Sequence, residues 1–249
     1  REWESNHAKT VYDMINDLPE QTYSKSWNDM PKKRGRGFMP LGCDGGRQKF
    51  GVDQNGDVFY PKNYVKRVRG KDTDRLLWEG EWIRYSFGFP NVEPAERYIE
   101  EGYLPIIYAR WEDDNISYEQ TAFATPLGQD ILSGKRINGD DTIILLAKVT
   151  LRNMSDETRN ISLNLKAKCD IEEILEERDG FVFATNYDND RMRYFIDTAG
   201  KGGITSNNNQ LSYNITLMKG ESHSIYFKIP FITLTEQSEF ELVRDTDFE

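Results

Sequence analysis

Carboxylates and aromatic rings are the side chains of this sequence most able to do chemistry. The acidic residues cluster as Glu79/Glu81, Glu112/Asp113/Asp114, Asp140/Asp141, Glu172/Glu173 and Glu176/Glu177. Two carboxylates can cleave a glycosidic bond when both face one cleft and one is held protonated by its surroundings. Neighbours on a strand point to opposite faces, so adjacency in sequence builds no such cleft. With 42 acidic residues in 249, clusters of this kind arise by chance. No general acid or base is assigned from them.

Other reactive side chains are sparse. The cysteines are Cys43 and Cys169, and neither sits in a CxxC pair. Two thiols can form one bridge, but their spacing does not show that they meet. Cys43 lies in the glycine-flanked stretch Gly42–Gly46, with no evident partner base to make it a nucleophile. His7 and His223 are far apart and outside any HExxH pattern. Residues 53–57 open like a calcium loop, D-x-N-x-D, yet the sixth and twelfth positions are Val58 and Tyr64 rather than Gly and Glu. A hairpin turn explains those residues better. Residues 186–190 could gather oxygen ligands, and they read equally well as a solvated loop. No GxSxG elbow, P-loop or dinucleotide fingerprint occurs. The expectation is a chain with no catalytic residue, no metal and no cofactor.

Aromatic residues are the more specific signal. Trp78, Trp82, Tyr85, Phe87, Tyr103, Tyr108, Trp111, Tyr118 and Phe123 crowd into one stretch. Flat rings stack on sugars, and adjacent Glu, Gln and Arg side chains bond hydroxyls. The candidate carbohydrate-binding set is therefore Trp78, Trp82, Tyr85, Arg110, Trp111, Tyr118, Glu119 and Gln120. The competing reading is an aromatic core, which is the commoner use of such rings in a sandwich interior.

Charge narrows the partners. The formal net charge of −10 repels phosphates and anionic headgroups. The basic cluster Lys32, Lys33, Arg34 and Arg36 has no interleaved aromatic platform and reads as a solvated loop. No apolar run reaches the ~18 residues that a spanning helix needs, so neither a nucleic-acid partner nor a membrane span is expected. No secretory leader is visible, and the opening on Arg1 without Met marks a mature or trimmed chain. Four Asn-x-Ser/Thr sequons occur, at Asn115, Asn153, Asn160 and Asn214.

The elements that must position these groups are mostly strands. Residues 6–18 read as a short amphipathic helix stopped by Pro19, and 24–47 as an irregular lead-in. Runs 48–53 and 57–61 flank Asn55-Gly56, a favoured hairpin dipeptide. Segment 81–88 alternates. Segments 103–111 and 116–125 form a second hairpin across an acidic turn. Segment 142–153 is the most apolar, and 160–168 alternates cleanly, as a half-buried strand does. Residues 181–185 and 192–197 add two strands. Residues 211–217 and 223–229 are expected to pair across Lys219-Gly220-Glu221. Residues 171–179 fit a helical turn or a strand. Roughly ten to twelve strands without βαβ alternation predict an all-β fold, a large antiparallel two-sheet sandwich with a short N-terminal helix. The boundaries are 1–37 for the helix and lead-in and 38–249 for the sandwich.

Three stretches together carry a resemblance: 103–127, 149–165 and 213–231. In each of the last two a polar turn joins two alternating strands, the second turn carrying Lys219-Gly220-Glu221. Over residues 38–249 the sequence resembles the N-terminal β-supersandwich of bacterial six-hairpin glycosidase-like proteins, a domain with a galactose-mutarotase-like fold. The resemblance implies a parent glycosidase whose catalytic carboxylates belong to an (α/α)6 barrel. That barrel is then the partner within the same polypeptide, joined near Glu249. It implies a non-catalytic accessory domain that gives structural support or contacts an oligo- or polysaccharide, in a periplasmic or extracellular setting. Two other functions stay open. One is a stand-alone carbohydrate-active enzyme with a sandwich-face cleft around Arg110, Tyr118 and Glu119. The other is a cell-surface adhesion sandwich.

Overall fold

The computed structural model describes residues 22, 25, 38–60, 83–102, 104–129, 136–169, 172–207, 210–234 and 236–248. The N-terminal helix expected at 6–18, most of the lead-in, Trp78, Trp82 and Tyr103 lie outside these residues.

Two antiparallel sheets make the fold. The first contains β1 (Phe38–Leu41), β2 (Phe50–Asp53), β3 (Val58–Phe59), β4 (Arg84–Ser86), β9 (Arg159–Lys168), β13 (Gly203–Asn207) and β14 (Gln210–Leu217), in the order β1-β2-β3-β4-β9-β14-β13. The second contains β5 (Glu96–Ile99), β6 (Ile107–Asp113), β7 (Ile116–Pro126), β8 (Ile143–Asn153), β10 (Leu175–Arg178), β11 (Phe181–Ala184), β12 (Arg191–Asp197) and β15 (Ser222–Pro230). Its order is β10-β11-β12-β15-β8-β7-β6-β5. A C-terminal helix, α1 (Gln237–Asp245), follows.

Alternation places the core between the sheets. Ile161, Leu163, Leu165 and Ala167 of β9 point inward while Asn160, Ser162, Lys166 and Lys168 do not. Ile83, Tyr85 and Phe87 share the inner side around β4. From the facing sheet, Leu145, Ala147, Val149 and Leu151 of β8 meet them, with Ile225, Phe227 and Ile229 of β15. The outer side of β8 is apolar too. Ile144 and Leu146 join Phe181, Met192, Leu234 and Val243 in a second core, against which Phe123, Phe195 and Phe240 pack. Helix α1 covers this patch with Phe240 and Val243, one turn apart. Its N-terminus is closed by a reciprocal box between Glu236 and Glu239.

The two expected hairpins form. In the first, Gly51 opposes Phe59 and Val52 opposes Val58. Of Asn55 and Gly56 only the glycine has positive φ, at 77°. The loop is longer than a two-residue turn and is closed by Asp53, whose Oδ1 accepts from the amides of Asn55 and Asp57. Arg84 bridges the two carboxylates, its Nη1 lying 2.5 Å from Asp53 Oδ2 and 3.0 Å from Asp57 Oδ2. In the second hairpin Asp113 pairs with Ile116, and Asp114 and Asn115 hold φ of 47° and 59° at the tip.

The pairing expected across Lys219-Gly220-Glu221 does not occur. Strand β14 lies in the first sheet beside β9, and β15 in the second beside β8. The turn is an arch between sheets, as is the polar turn from β8 to β9. Asn153, fully buried, ties the two arches together. Its Nδ2 donates to the carbonyls of Glu157, Leu217 and Met218, and its Oδ1 accepts from Ser155.

Residues 175–178, ambiguous in sequence, form the edge strand β10. Strands β5 and β13 escape sequence reading because they are short and polar. Cys43 and Cys169 are both free thiols, the first buried. Burial pushes the Cys43 thiol up, despite the nearby Lys49 ammonium, so it is a poor nucleophile.

Buried phenols, those of Tyr60, Tyr85, Tyr194 and Tyr213, make the fold sensitive to alkali. Tyr60 and Tyr85 share a hydrogen bond of 2.9 Å, and Tyr60 also donates to Pro230 O. Burial raises Tyr60 and Tyr213 to about 12 and holds Tyr85 and Tyr194 well above the usual phenol range. A group raised by folding contributes stability that is complete below its unfolded pKa and lost above it. Above a pH of about 10, each phenol should therefore remove roughly 1.4 kcal/mol per pH unit, with Tyr60 and Tyr213 levelling off near their folded values. Urea midpoints should fall steeply from there, and tyrosinate absorbance should show fewer phenols titrating in the folded chain than in urea. Equal titration of all 13 tyrosines in both states would overturn this.

Candidate functional site

Alternation along β6 and β7 sorts the sequence candidates onto two faces. Trp111 is fully buried on the inner face, stacked on Phe89 with centroids 4.6 Å apart and an interplanar angle of 14°. Gln120 is buried on the same side, where its Nε2 donates to Gly56 O at 2.9 Å. Tyr118 packs half-buried against the rim of the core. Tyr85 is an interior residue of the opposite sheet. A polysaccharide on the surface cannot stack on Tyr85 or Trp111 or bond Gln120. These three serve the core, because inward-facing positions on both sheets must be filled.

Arg110 and Glu119 point the other way. They are cross-strand partners on the outer face of the second sheet, away from Tyr118. The same register brings Glu96 opposite Arg110 and Tyr98 opposite Tyr108. The Tyr98 and Tyr108 rings stack, with centroids 4.6 Å apart and planes at 26°. Both are partly exposed, as are Arg110 and Glu119. Arg110 Nε lies 3.5 Å from Glu96 Oε2, and Nη1 bonds Glu112. Burial raises both phenols, Tyr108 to about 12, and the carboxylates of Glu96, Glu100 and Glu119 add to the effect. Beyond Glu119 the face continues through Thr121, Thr150 and Ser224, the last two hydrogen-bonded at 2.8 Å. The result is an aromatic platform bordered by carboxylates, a guanidinium and hydroxyls.

Sequence reading missed Tyr98 and Glu96. They belong to the four-residue strand β5, too short to alternate visibly. Their one signal is the pairing register with β6, which sets Tyr98 opposite Tyr108 and Glu96 opposite Arg110.

Two other places were weighed. A cavity of about 410 Å³ opens beside β10, lined by Leu165, Lys166, Glu172, Glu173, Ile174, Leu175 and Gln210. Glu173 at its floor is fully buried and committed. Arg193 Nε and Nη2 reach its two oxygens at 2.8 and 2.5 Å, and Tyr187 Oη donates at 2.8 Å. A carboxylate so engaged is a structural anchor, not a free acid or base. A second hollow, about 470 Å³, lies on the outer side of β9 and β14 among Asn160, Ser162, Lys201, Asn214 and Thr216. It carries no aromatic ring. Among the described residues no three His, Cys, Asp or Glu side chains converge to hold a metal ion. None of the described helices is long and apolar enough to cross a membrane.

No family model and no curated protein matches this chain. The reading of its site therefore stands on geometry.

Proposed function

We propose that this chain is a non-catalytic accessory sandwich of a larger carbohydrate-active protein, and that it contacts glycan through the outer face of β5–β7. The observation that carries this reading is the stacked Tyr98–Tyr108 pair. Two partly exposed rings stacked on each other on a rigid sheet leave their outer faces and edges as apolar contact surface at low entropic cost. Glu96, Arg110 and Glu119 stand where they can bond the hydroxyls at the edge of a sugar ring. Arg110, fixed between Glu96 and Glu112, commits both of those carboxylates to ion pairs rather than to proton transfer. Catalysis then falls to the (α/α)6 barrel that the sequence resemblance implies.

The test is binding of the intact chain to a panel of soluble polysaccharides by calorimetry and affinity electrophoresis. Tyr108→Ala and Tyr98→Ala should each weaken binding about tenfold, equivalent to ~1.4 kcal/mol. The melting temperature should hardly change. Loss of affinity only alongside a large fall in melting temperature would assign the rings to stability instead. Turnover of any glycan by the isolated chain would replace the accessory reading with that of a stand-alone enzyme.

A further inference from the structure

On the proposed glycan face one carboxylate beside the tyrosine pair lacks an ion-pair partner among the described residues. Glu119 is Arg110's cross-strand neighbour, yet Arg110 turns away to Glu96 and Glu112. On its other side Glu119 faces Thr150, a neutral residue. Glu119 is partly buried and forms no ion pair among the described residues, with Lys148 and Arg152 flanking Thr150 diagonally on the same face. Arg110, on the same face, has its charge already met by Glu96 and Glu112. Lys148, further along the face, is drawn towards the Tyr226 and Phe248 rings, 5.9 Å from each centroid.

We infer that the face takes a glycan bearing free amino groups, with Glu119 meeting an ammonium and Tyr98–Tyr108 stacking beneath the sugar ring. This rests on the reading that the face contacts glycan at all. A partly desolvated carboxylate without a counter-charge gains more from an arriving cation than a fully solvated one does. An ammonium over a tyrosine face adds cation–π attraction. A neutral glycan gains the stacking alone. A uronate or sulfated glycan brings its own negative charge against Glu96, Glu100, Glu112 and Glu119, with Arg110 already paired.

The test compares four probes on the intact chain at low salt: glucosamine oligomers, the N-acetylated oligomers of the same length, a neutral β-glucan and oligogalacturonate. The amino form should bind about tenfold more tightly than the acetylated form and lose that margin as salt is raised. Glu119→Gln should erase the margin, weakening the amino form about tenfold more than the acetylated one. Tyr108→Ala should weaken both. Because the whole chain is acidic, Glu157→Gln on the distant β8–β9 turn serves as control. Equal loss with Glu157→Gln, or an unchanged margin with Glu119→Gln, would overturn the proposal. Binding of the acetylated oligomer or the β-glucan at least as well as the amino form would also overturn it, while keeping the face as a glycan site. Binding of none of the four would remove both readings.

Discussion

Arg193→Met should destabilise the fold by about 3–5 kcal/mol, because it leaves Glu173 as a buried charge without its counter-ion. The Glu173 and Arg193 side chains are 0% and 1% exposed. Arg193 also reaches Thr233 Oγ1 at 3.4 Å, and its neighbour Arg191 lies 3.9 Å above the Tyr187 ring. Burial alone would lower the Arg193 guanidinium. The adjacent Tyr85 phenol and the Glu173 carboxylate outweigh it and hold the group above its ordinary range. Glu173→Leu alone should cost a similar amount for the converse reason. The double variant Glu173→Leu/Arg193→Met should recover much of the loss, since an apolar pair of similar volume can replace an ion pair in an interior. Urea denaturation of the four proteins gives the coupling energy directly. Single costs below about 1 kcal/mol, or strictly additive ones, would show that the pair contributes nothing.

That pair also shows where sequence reading stops. In 191–197 the alternation predicts Arg191, Arg193 and Phe195 on one side, with Met192 and Tyr194 on the other. The pairing with β11 skips Arg193: Met192 opposes Phe183 and Tyr194 opposes Val182. This bulge moves Met192 to the outer patch with Phe195 and leaves Arg193 against Glu173. A one-residue register change reverses faces, and nothing in the local composition marks it.

Long regular strands were legible because their burial is written in every second residue, as in β9, and because β8 is apolar on both sides. The sheet assignment of those strands was not. A polar turn of five residues serves a hairpin and an arch equally well, and what distinguishes them here is Asn153, two of whose carbonyl partners, Leu217 and Met218, lie far away in sequence. The site was half legible for the same reason. Arg110 and Glu119 were named from their neighbourhood and do share a surface. Tyr98, which completes that surface, lies on another strand and becomes visible only through pairing. Gly88 illustrates a further class of hidden constraint. Its φ is 77°, and a Cβ there would lie 2.4 Å from the Asn164 amide nitrogen, so the chain leaving β4 passes flush over β9.

Trp111 and Tyr108 test the division of the aromatic stripe into core and surface, and they should respond in opposite ways. Trp111→Ala should cost about 3–5 kcal/mol through the cavity it leaves against Phe89. For a chain of this size that corresponds to a fall in melting temperature of roughly 6–20 °C. Trp111→Phe should be far milder, within about 2 kcal/mol. The ring stack with Phe89 can persist, and the indole Nε1 that it removes is buried without a hydrogen-bond partner among the described residues. Neither change should alter glycan affinity in protein that remains folded, since the Trp111 ring faces away from Tyr98 and Tyr108. Tyr108→Ala should show the reverse profile, with affinity lost and melting temperature retained. A Trp111→Ala protein that melts normally but binds poorly would place the recognition surface on the inner face of β6, where Ala109 and Ile107 pack beside Trp111 at 1% exposure. A ligand could reach that face only by parting the sheets, and the buried contacts of β8 and β15 with the facing β9 and β14 would have to open with it.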